Sequence, residues 1–125
     1  MRRLLSNVIL AGAFTVFGSS AAFALELIMV EQKGCHYCEA WMDEIAPAYP
    51  NTPEGRHAPL MRRDINDPAP DGAKYARRVN FTPTFILWDD GAEIARIEGY
   101  PGEDFFWPIL SQLLKDKTNF GDATH

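Results

Sequence analysis

Two cysteines, Cys35 and Cys38, enclose the dipeptide His36-Tyr37 and are the only cysteines of the 125-residue chain. A helical pattern begins at Cys35, shortly after an apolar run that Gly34 breaks, so Cys35 is predicted to lie at the start of a helix. Unpaired backbone N–H groups and the helix dipole favour a thiolate there. Because a thiolate is the nucleophile and Cys38 follows one turn later, the pair predicts thiol–disulfide exchange in which Cys35 attacks and Cys38 resolves. No cofactor is expected besides the Cys35–Cys38 disulfide.

His36 lies beside Cys35, and a protonated imidazole there would lower the pKa of the Cys35 thiol. An exposed histidine without a role is an equally good interpretation. A structural disulfide across so short a loop would add little stability. Zinc needs four ligands, and His36, His57 and His125 have no recognisable spacing to the cysteines, so no metal site is predicted. Copper binding by the cysteine pair and a histidine, with His57 as the candidate, is the alternative from a different functional class.

The first 24 residues have the features of an export signal. A positively charged start is followed by an apolar stretch from Leu4 to Phe17 and a small-x-small motif that ends at Ala24. Residues 1–24 are therefore predicted to be a signal peptide cleaved before Leu25, and residues 25–125 a single domain in the periplasm. The alternative is an uncleaved anchor, since Leu4 to Ala24 is just long enough to span a bilayer.

Composition and charge limit the classes of molecule that the protein is expected to bind. Hydrophobic residues make up 46% and charged residues 23%, which is ordinary for a globular domain. The formal net charge is −5, and removing Arg2 and Arg3 with the signal makes it −5 − 2 = −7. Because this charge repels phosphate backbones, nucleic acid is not expected as a partner. We expect a monomer that acts on a protein thiol or disulfide.

The elements that must position the cysteines are indicated by apolar periodicity. Continuous apolar runs at Leu27–Val30 and Phe85–Trp88 are typical of strands buried on both faces, so these two are predicted at the centre of the sheet. Strands over Leu60–Ile65 and Ala92–Glu98 are expected at the edges, the first because it is charged and the second with a bulge. The fold class is therefore α/β, with a central four-stranded mixed sheet flanked by helices.

Three helices are expected around this sheet. The first begins at Cys35, and Pro50–His57 after it is predicted to be a loop. The second spans Gly72 to about Val79, capped by Asp71. The third contains Pro108, which kinks the helix if Pro101 is its first residue and lies near its first turn if Asp104 is the cap. Its predicted apolar stripe comprises Phe105, Phe106, Ile109, Leu110, Leu113 and Leu114.

Further segments extend the pattern set by the cysteines, namely Ala73-Lys74-Tyr75, Thr82-Pro83-Thr84-Phe85-Ile86-Leu87, Gly91-Ala92-Glu93-Ile94-Ala95 and Gly99. With them the chain resembles the thioredoxin-like family over nearly all of residues 25–125. The resemblance implies a minimal thioredoxin-like fold, without the family's extra N-terminal strand and helix, and a thiol–disulfide oxidoreductase activity. It also implies that Pro83 is cis and faces the cysteines, and that Thr82 offers its backbone to a partner segment. The alternative is a trans proline that opens an ordinary strand.

The chain departs from common thioredoxins at three places. Gly34 stands where the family has a tryptophan before the first cysteine. The dipeptide between the cysteines is His-Tyr instead of Gly-Pro, so a redox potential cannot be transferred. Met29 occupies the position of a buried acid, so that removing the proton of Cys38 relies on water, Glu31 or a partner.

Residues 30–35 and 98–107 are most similar to the SoxS type of periplasmic thioredoxin, linked to bacterial sulfur oxidation. This similarity implies reduction of a sulfur-carrier protein whose thiol is blocked, with electrons supplied by a membrane protein. The alternative within the same chemistry is a periplasmic disulfide oxidant or isomerase that needs a membrane re-oxidase.

Overall fold

The computed structural model describes residues 11–15 and 24–122. The regular elements are β1 (Glu26–Glu31), α1 (His36–Glu44), α2 (Pro53–His57), β2 (Leu60–Asp64), β3 (Thr84–Asp89), β4 (Ala92–Glu98) and α3 (Glu103–Lys117), with short 3-10 turns at Tyr49–Asn51 and Pro70–Gly72. Most of the predicted signal peptide lies outside the described residues. Among the residues that are described, no helix is long and apolar enough to cross a membrane.

The four strands form one mixed sheet in the order β2-β1-β3-β4. β1 pairs in parallel with β2 and antiparallel with β3, and β3 pairs antiparallel with β4. The two strands predicted at the centre are central, and every residue of Leu27–Val30 and Phe85–Trp88 is buried. The register of β3 and β4 shifts between Leu87 and Trp88, so the expected irregularity of the last strand is confirmed.

One face of the sheet is covered by the two long helices. Trp41 of α1 lies at its centre, with ring centroids 5.1 Å from Phe85 of β3 and 5.7 Å from Phe106 of α3. Cys35 and Cys38 belong to the same buried cluster, as do Leu110 and Leu114. The active-site segment is thus seated on a rigid aromatic core.

The other face is covered by a chain segment without a long helix. Ile28, Val30, Ile86 and Trp88 point to this side and pack with Ala69 and Val79. Tyr75 closes the cluster with its ring at 5.9 Å from Trp88, in an edge-on arrangement. The sheet is therefore buried on both faces although the helices α1 and α3 share one of them.

The predicted helix from Gly72 to Val79 is wrong, and only the turn Pro70–Gly72 is helical there. Asp71, expected as the cap, has φ 55°, ψ 31°, which is the left-handed region and not the extended backbone of an N-cap. The segment is held by β4 instead, because Arg96 donates to the carbonyl of Arg77 at 2.9 Å and Glu93 accepts the N–H of Ala76 at 2.6 Å.

The segment Pro50–His57 was predicted as a loop but contains α2. Thr52 caps this helix, since its Oγ1 accepts the N–H of Gly55 at 3.0 Å, and Pro53 occupies the first helical position. Proline and glycine are typical of loops, but here Pro53 is the first residue of a short helix and Gly55 lies within it.

Neither predicted start of the last helix is observed, because α3 begins at Glu103 and therefore carries Pro108 in its second turn. Phe106, Leu110 and Leu114 form its buried stripe. Phe105 and Ile109, predicted to belong to the stripe, are exposed by 64% and 42%.

Candidate active site

Cys35 is the N-cap of α1 and Cys38 lies in the first turn of that helix. The backbone of Cys35 is extended, and its Sγ accepts the N–H of Cys38 at 3.2 Å. The two sulfurs are joined in a disulfide, with the Cα atoms 5.2 Å apart. Only 9% of Cys35 and 5% of Cys38 is exposed. A thiolate formed at Cys35 on reduction lies among the free N–H groups of the helix start, which stabilise negative charge.

The Thr82–Pro83 peptide lies at the same end of the sheet and is cis. Because Val30 pairs with Thr84, Pro83 stands opposite the segment that leads from β1 to the cysteines. The carbonyl of Pro83 accepts the N–H of Gly99 at 2.8 Å, and this fixes the start of β3. The site is therefore built from the ends of two central strands.

Thr82 leaves its polar groups free at this place. Within residues 11–15 and 24–122, neither its backbone N–H nor its carbonyl forms a hydrogen bond with another backbone group. Its Oγ1 is buried and also lacks a partner among the described atoms. Since backbone groups are normally paired in folded proteins, the free edge at Thr82 is suited to pairing with an extended segment.

The side chains between the cysteines point outward. His36 and Tyr37 are exposed, and their rings meet edge to face with centroids 5.6 Å apart. They line a groove with Glu44 and Tyr100, and the hydroxyl of Tyr100 donates to a carboxylate oxygen of Glu44. Burial, and then this hydrogen bond, raise the pKa of Tyr100. The groove therefore carries aromatic side chains from the two residues that separate the cysteines in the sequence.

The acidic side chain of Glu31 lies in a second groove, and the buried core position holds a methionine. Met29 is fully buried in the same cluster as the cysteines, so no carboxyl group lies there. Glu31 lines a groove with Cys35 and Cys38, and Arg62 binds its carboxylate through Nε and Nη2, each at 2.7 Å. The hydrogen bond to Glu31 raises the pKa of Arg62. Of the candidates for taking the Cys38 proton, Glu31 is therefore present in the groove as a paired carboxylate.

His57, the candidate copper ligand, contacts the residues that follow α3 instead. Its Nε2 lies 2.9 Å from Oγ1 of Thr118, and its ring lies 5.2 Å from that of Phe120. In the part of the chain that the structure describes, no group of three or more His, Cys, Asp or Glu side chains is arranged to hold a metal ion. The register of β1 and β3 places Pro83 at the end of the sheet from which the chain leads to Cys35, whereas His57 packs against Thr118 and Phe120.

A disulfide at the start of a helix, with a cis proline at the same end of a four-stranded mixed sheet, defines a thioredoxin-like thiol–disulfide oxidoreductase. Residues 25–114 match the thioredoxin-like domain, and the chain belongs to this family. It is similar to the crystal structure of the periplasmic thioredoxin SoxS from Paracoccus pantotrophus in its reduced form, with 56% identity and a TM-score of 0.70 over 73% of this chain and 96% of that one. No curated protein matches the sequence. The family and the SoxS resemblance inferred from the sequence are confirmed.

Proposed function

We propose that this oxidoreductase works in the periplasm, where it reduces a disulfide or a blocked thiol on a carrier protein of sulfur oxidation. The most direct support is the 56% identity of this chain to a periplasmic SoxS thioredoxin. The match covers 96% of that protein's chain. The intact pair Cys35 and Cys38 supplies the chemistry that such a reduction needs.

The reaction proceeds in two exchanges from the reduced protein. The thiolate of Cys35 attacks the partner's sulfur, a Cys35–partner disulfide forms, and the group bound to that sulfur leaves as a thiolate and takes up a proton. Cys38 then loses its proton and attacks Sγ of Cys35. The partner leaves as a thiol, the Cys35–Cys38 disulfide forms, and two electrons have passed to the partner. A membrane protein that delivers electrons restores the dithiol.

Thr82 and Pro83 hold the partner during these steps. An extended partner segment pairs with the free N–H and carbonyl of Thr82, as in strand addition to a sheet edge. This places the partner's sulfur beside Cys35, because Pro83 stands opposite the segment that leads to the cysteines. His36 and Tyr37 line the adjoining groove.

Trapping the mixed disulfide tests this function. Cys38→Ser lacks the resolving thiol, so it is expected to accumulate a covalent adduct with the carrier protein, which mass spectrometry identifies. Cys35→Ser is the matched control and should form no adduct. Adducts through Cys38 alone, or with proteins unrelated to sulfur transfer, would contradict the proposal.

The direction of electron flow is tested by the equilibrium reduction potential of the Cys35/Cys38 couple. A reductant should lie near the value of thioredoxin, about −270 mV, and a disulfide oxidant closer to about −120 mV. A value at the oxidising end would favour the alternative of a periplasmic oxidant. Export itself is tested by the N-terminus of the protein recovered from the periplasm, which should be Leu25.

A further inference from the structure

A cleft of about 600 Å³ opens on the sheet face opposite α1 and α3, along the irregular segment 73–80. Lys74, Arg77 and Arg78 line it, against one carboxylate, that of Asp67. This excess of positive charge is local, since the whole chain carries a formal net charge of −5. An acidic protein therefore presents a basic cleft.

Two of the three cations are free to bind a ligand. Arg77 forms an ion pair with Glu98 at 2.7 Å, whereas Lys74 and Arg78 form no ion pair with any residue that the structure describes. The backbone that carries them is fixed, because Arg96 donates to the carbonyls of Arg77 at 2.9 Å and Arg78 at 3.5 Å. The backbone of this part of the segment is thus held in place although it is neither helix nor strand.

The cleft lies next to the groove that contains the cysteines. Gln32 lines both the cleft and the groove that contains the cysteines, and its carbonyl accepts the N–H of Cys35 at 3.3 Å. On the other side, the cleft ends at Asn80, which leads through the half-exposed Phe81 to Thr82. Four residues separate Arg78 from Thr82, so the two lie at most roughly 13 Å apart, at about 3.3 Å per residue.

We propose that this cleft binds carboxylate side chains of the partner protein, located about four residues from its reacting cysteine. The inference rests on the proposed function, because the same partner segment pairs with Thr82. As the segment extends past Phe81, its acidic residues meet Lys74 and Arg78. Charge complementarity of this kind raises the rate of encounter and selects the partner, and salt weakens it.

Two synthetic peptides test the inference. Each carries one cysteine in a mixed disulfide with 2-mercaptoethanol, and the residues three to five positions away on both sides are Glu in one peptide and Gln in the other. Reduced protein converts each peptide to its thiol and releases 2-mercaptoethanol, while the Cys35–Cys38 disulfide forms. We expect kcat/KM to be about tenfold higher for the Glu peptide at low ionic strength, and this preference to shrink to about twofold at high salt.

Charge variants locate the preference. The double variant Lys74→Gln/Arg78→Gln should reduce both peptides at equal rates and leave the rate for the Gln peptide unchanged. Lys115→Gln/Lys117→Gln, which removes the same charge from exposed positions of α3, is the matched control and should keep the preference.

Equal rates for the two peptides with the unaltered protein would overturn the inference, and so would an equal loss of preference in both double variants. Acetate that competes as well as a cysteine-free Glu peptide would assign the cleft to small anions and overturn partner docking. If neither peptide is reduced, the proposed function itself fails, and the inference with it.

Discussion

Arg96 and Glu93, three residues apart on β4, form an ion pair that is almost closed to solvent, with 5% and 4% of their side chains exposed. Nη2 of Arg96 lies 2.9 Å from Oε2 of Glu93. The same two side chains bond to the backbone of Ala76, Arg77 and Arg78. One buried pair on a strand therefore determines where the irregular segment beside the active site lies.

Breaking this pair from the cationic side should destabilise the protein strongly. Arg96→Met leaves the carboxylate of Glu93 buried without its partner, and we expect the free energy of unfolding to fall by about 3 kcal/mol in urea denaturation. The control is Arg62→Met, whose partner Glu31 is more exposed, and which should cost less than about 1 kcal/mol. Equal losses of unfolding free energy in the two variants would show that burial of the Arg96–Glu93 pair does not increase its contribution to stability.

The pH dependence of stability follows from the same carboxyl group. Burial alone acts to raise the pKa of Glu93, but the hydrogen bonds from Arg96 and Ala76 and the charge of Arg96 outweigh it and hold the pKa below its usual 4.5. A carboxyl group whose pKa is lowered by folding stabilises the protein above its unfolded pKa, and this contribution is lost as the pH falls through the folded value. Urea unfolding between pH 5 and 3 should therefore show a smaller loss of stability for Glu93→Gln than for the unaltered protein, and parallel losses would contradict this.

Gly55 should not tolerate a side chain. A Cβ atom there would lie 1.7 Å from the carbonyl oxygen of Tyr49, a backbone atom that cannot move without shifting the 3-10 turn. We expect Gly55→Ala to lower the free energy of unfolding by about 3 kcal/mol. Gly91→Ala is the control, because Gly91 has a positive φ of 76° but no atom within 4 Å of a Cβ, and it should cost only about 1 kcal/mol in the same thermal or urea measurement.

Thr82 is expected to act through its backbone. Its hydroxyl is buried without a partner, so Thr82→Val removes an unsatisfied group and should leave stability unchanged or raise it by up to about 1 kcal/mol. Peptide reduction should continue at the unaltered rate, since the N–H and carbonyl remain. Slower exchange with unchanged stability would instead assign the hydroxyl a contact with the partner.

His36→Ala tests the electrostatic role predicted for His36. If the imidazole stabilises the thiolate, the pKa of Cys35 rises in the variant, as followed by thiolate absorbance of the reduced protein. Tyr37→Ala, which removes the neighbouring exposed ring, should leave that titration in place. Identical titrations for His36→Ala and the unaltered protein would leave the helix start as the source of any stabilisation.

The sequence contains strong local signals for the central part of the fold. Leu27–Val30 and Phe85–Trp88 are apolar at consecutive positions, and short runs of this kind are typical of strands buried on both faces. The positions of Cys35 and Cys38 are also predictable from the local sequence, because the helix begins where the helical spacing of apolar residues begins. The cis peptide before Pro83 is predicted only by the family resemblance, because no local pattern in the sequence indicates it.

Features that depend on distant residues could not be predicted in this way. The segment after Asp71 has residue types that suit a capped helix, but its course is determined by Glu93 and Arg96, which lie about twenty residues later in the chain. The bond between Tyr100 and Glu44 joins residues 56 positions apart, and no spacing rule connects them. The basic cleft is not predictable from composition either, because the net charge of an acidic chain conceals a cluster of three cations.

The buried ion pair of Glu93 and Arg96 has a consequence for self-association. β4 is an outer strand of the sheet, and an outer strand of a folded protein is a template on which a second copy can add its own strand. Charged side chains that point inward from such a strand oppose this addition, because a docked copy would have to cover them. β2 is the outer strand at the other edge of the sheet, and it carries the charged residues Arg62 and Arg63. Both borders of the sheet are thereby protected against intermolecular β-aggregation, while the N–H and carbonyl of Thr82 have no backbone partner among the described residues.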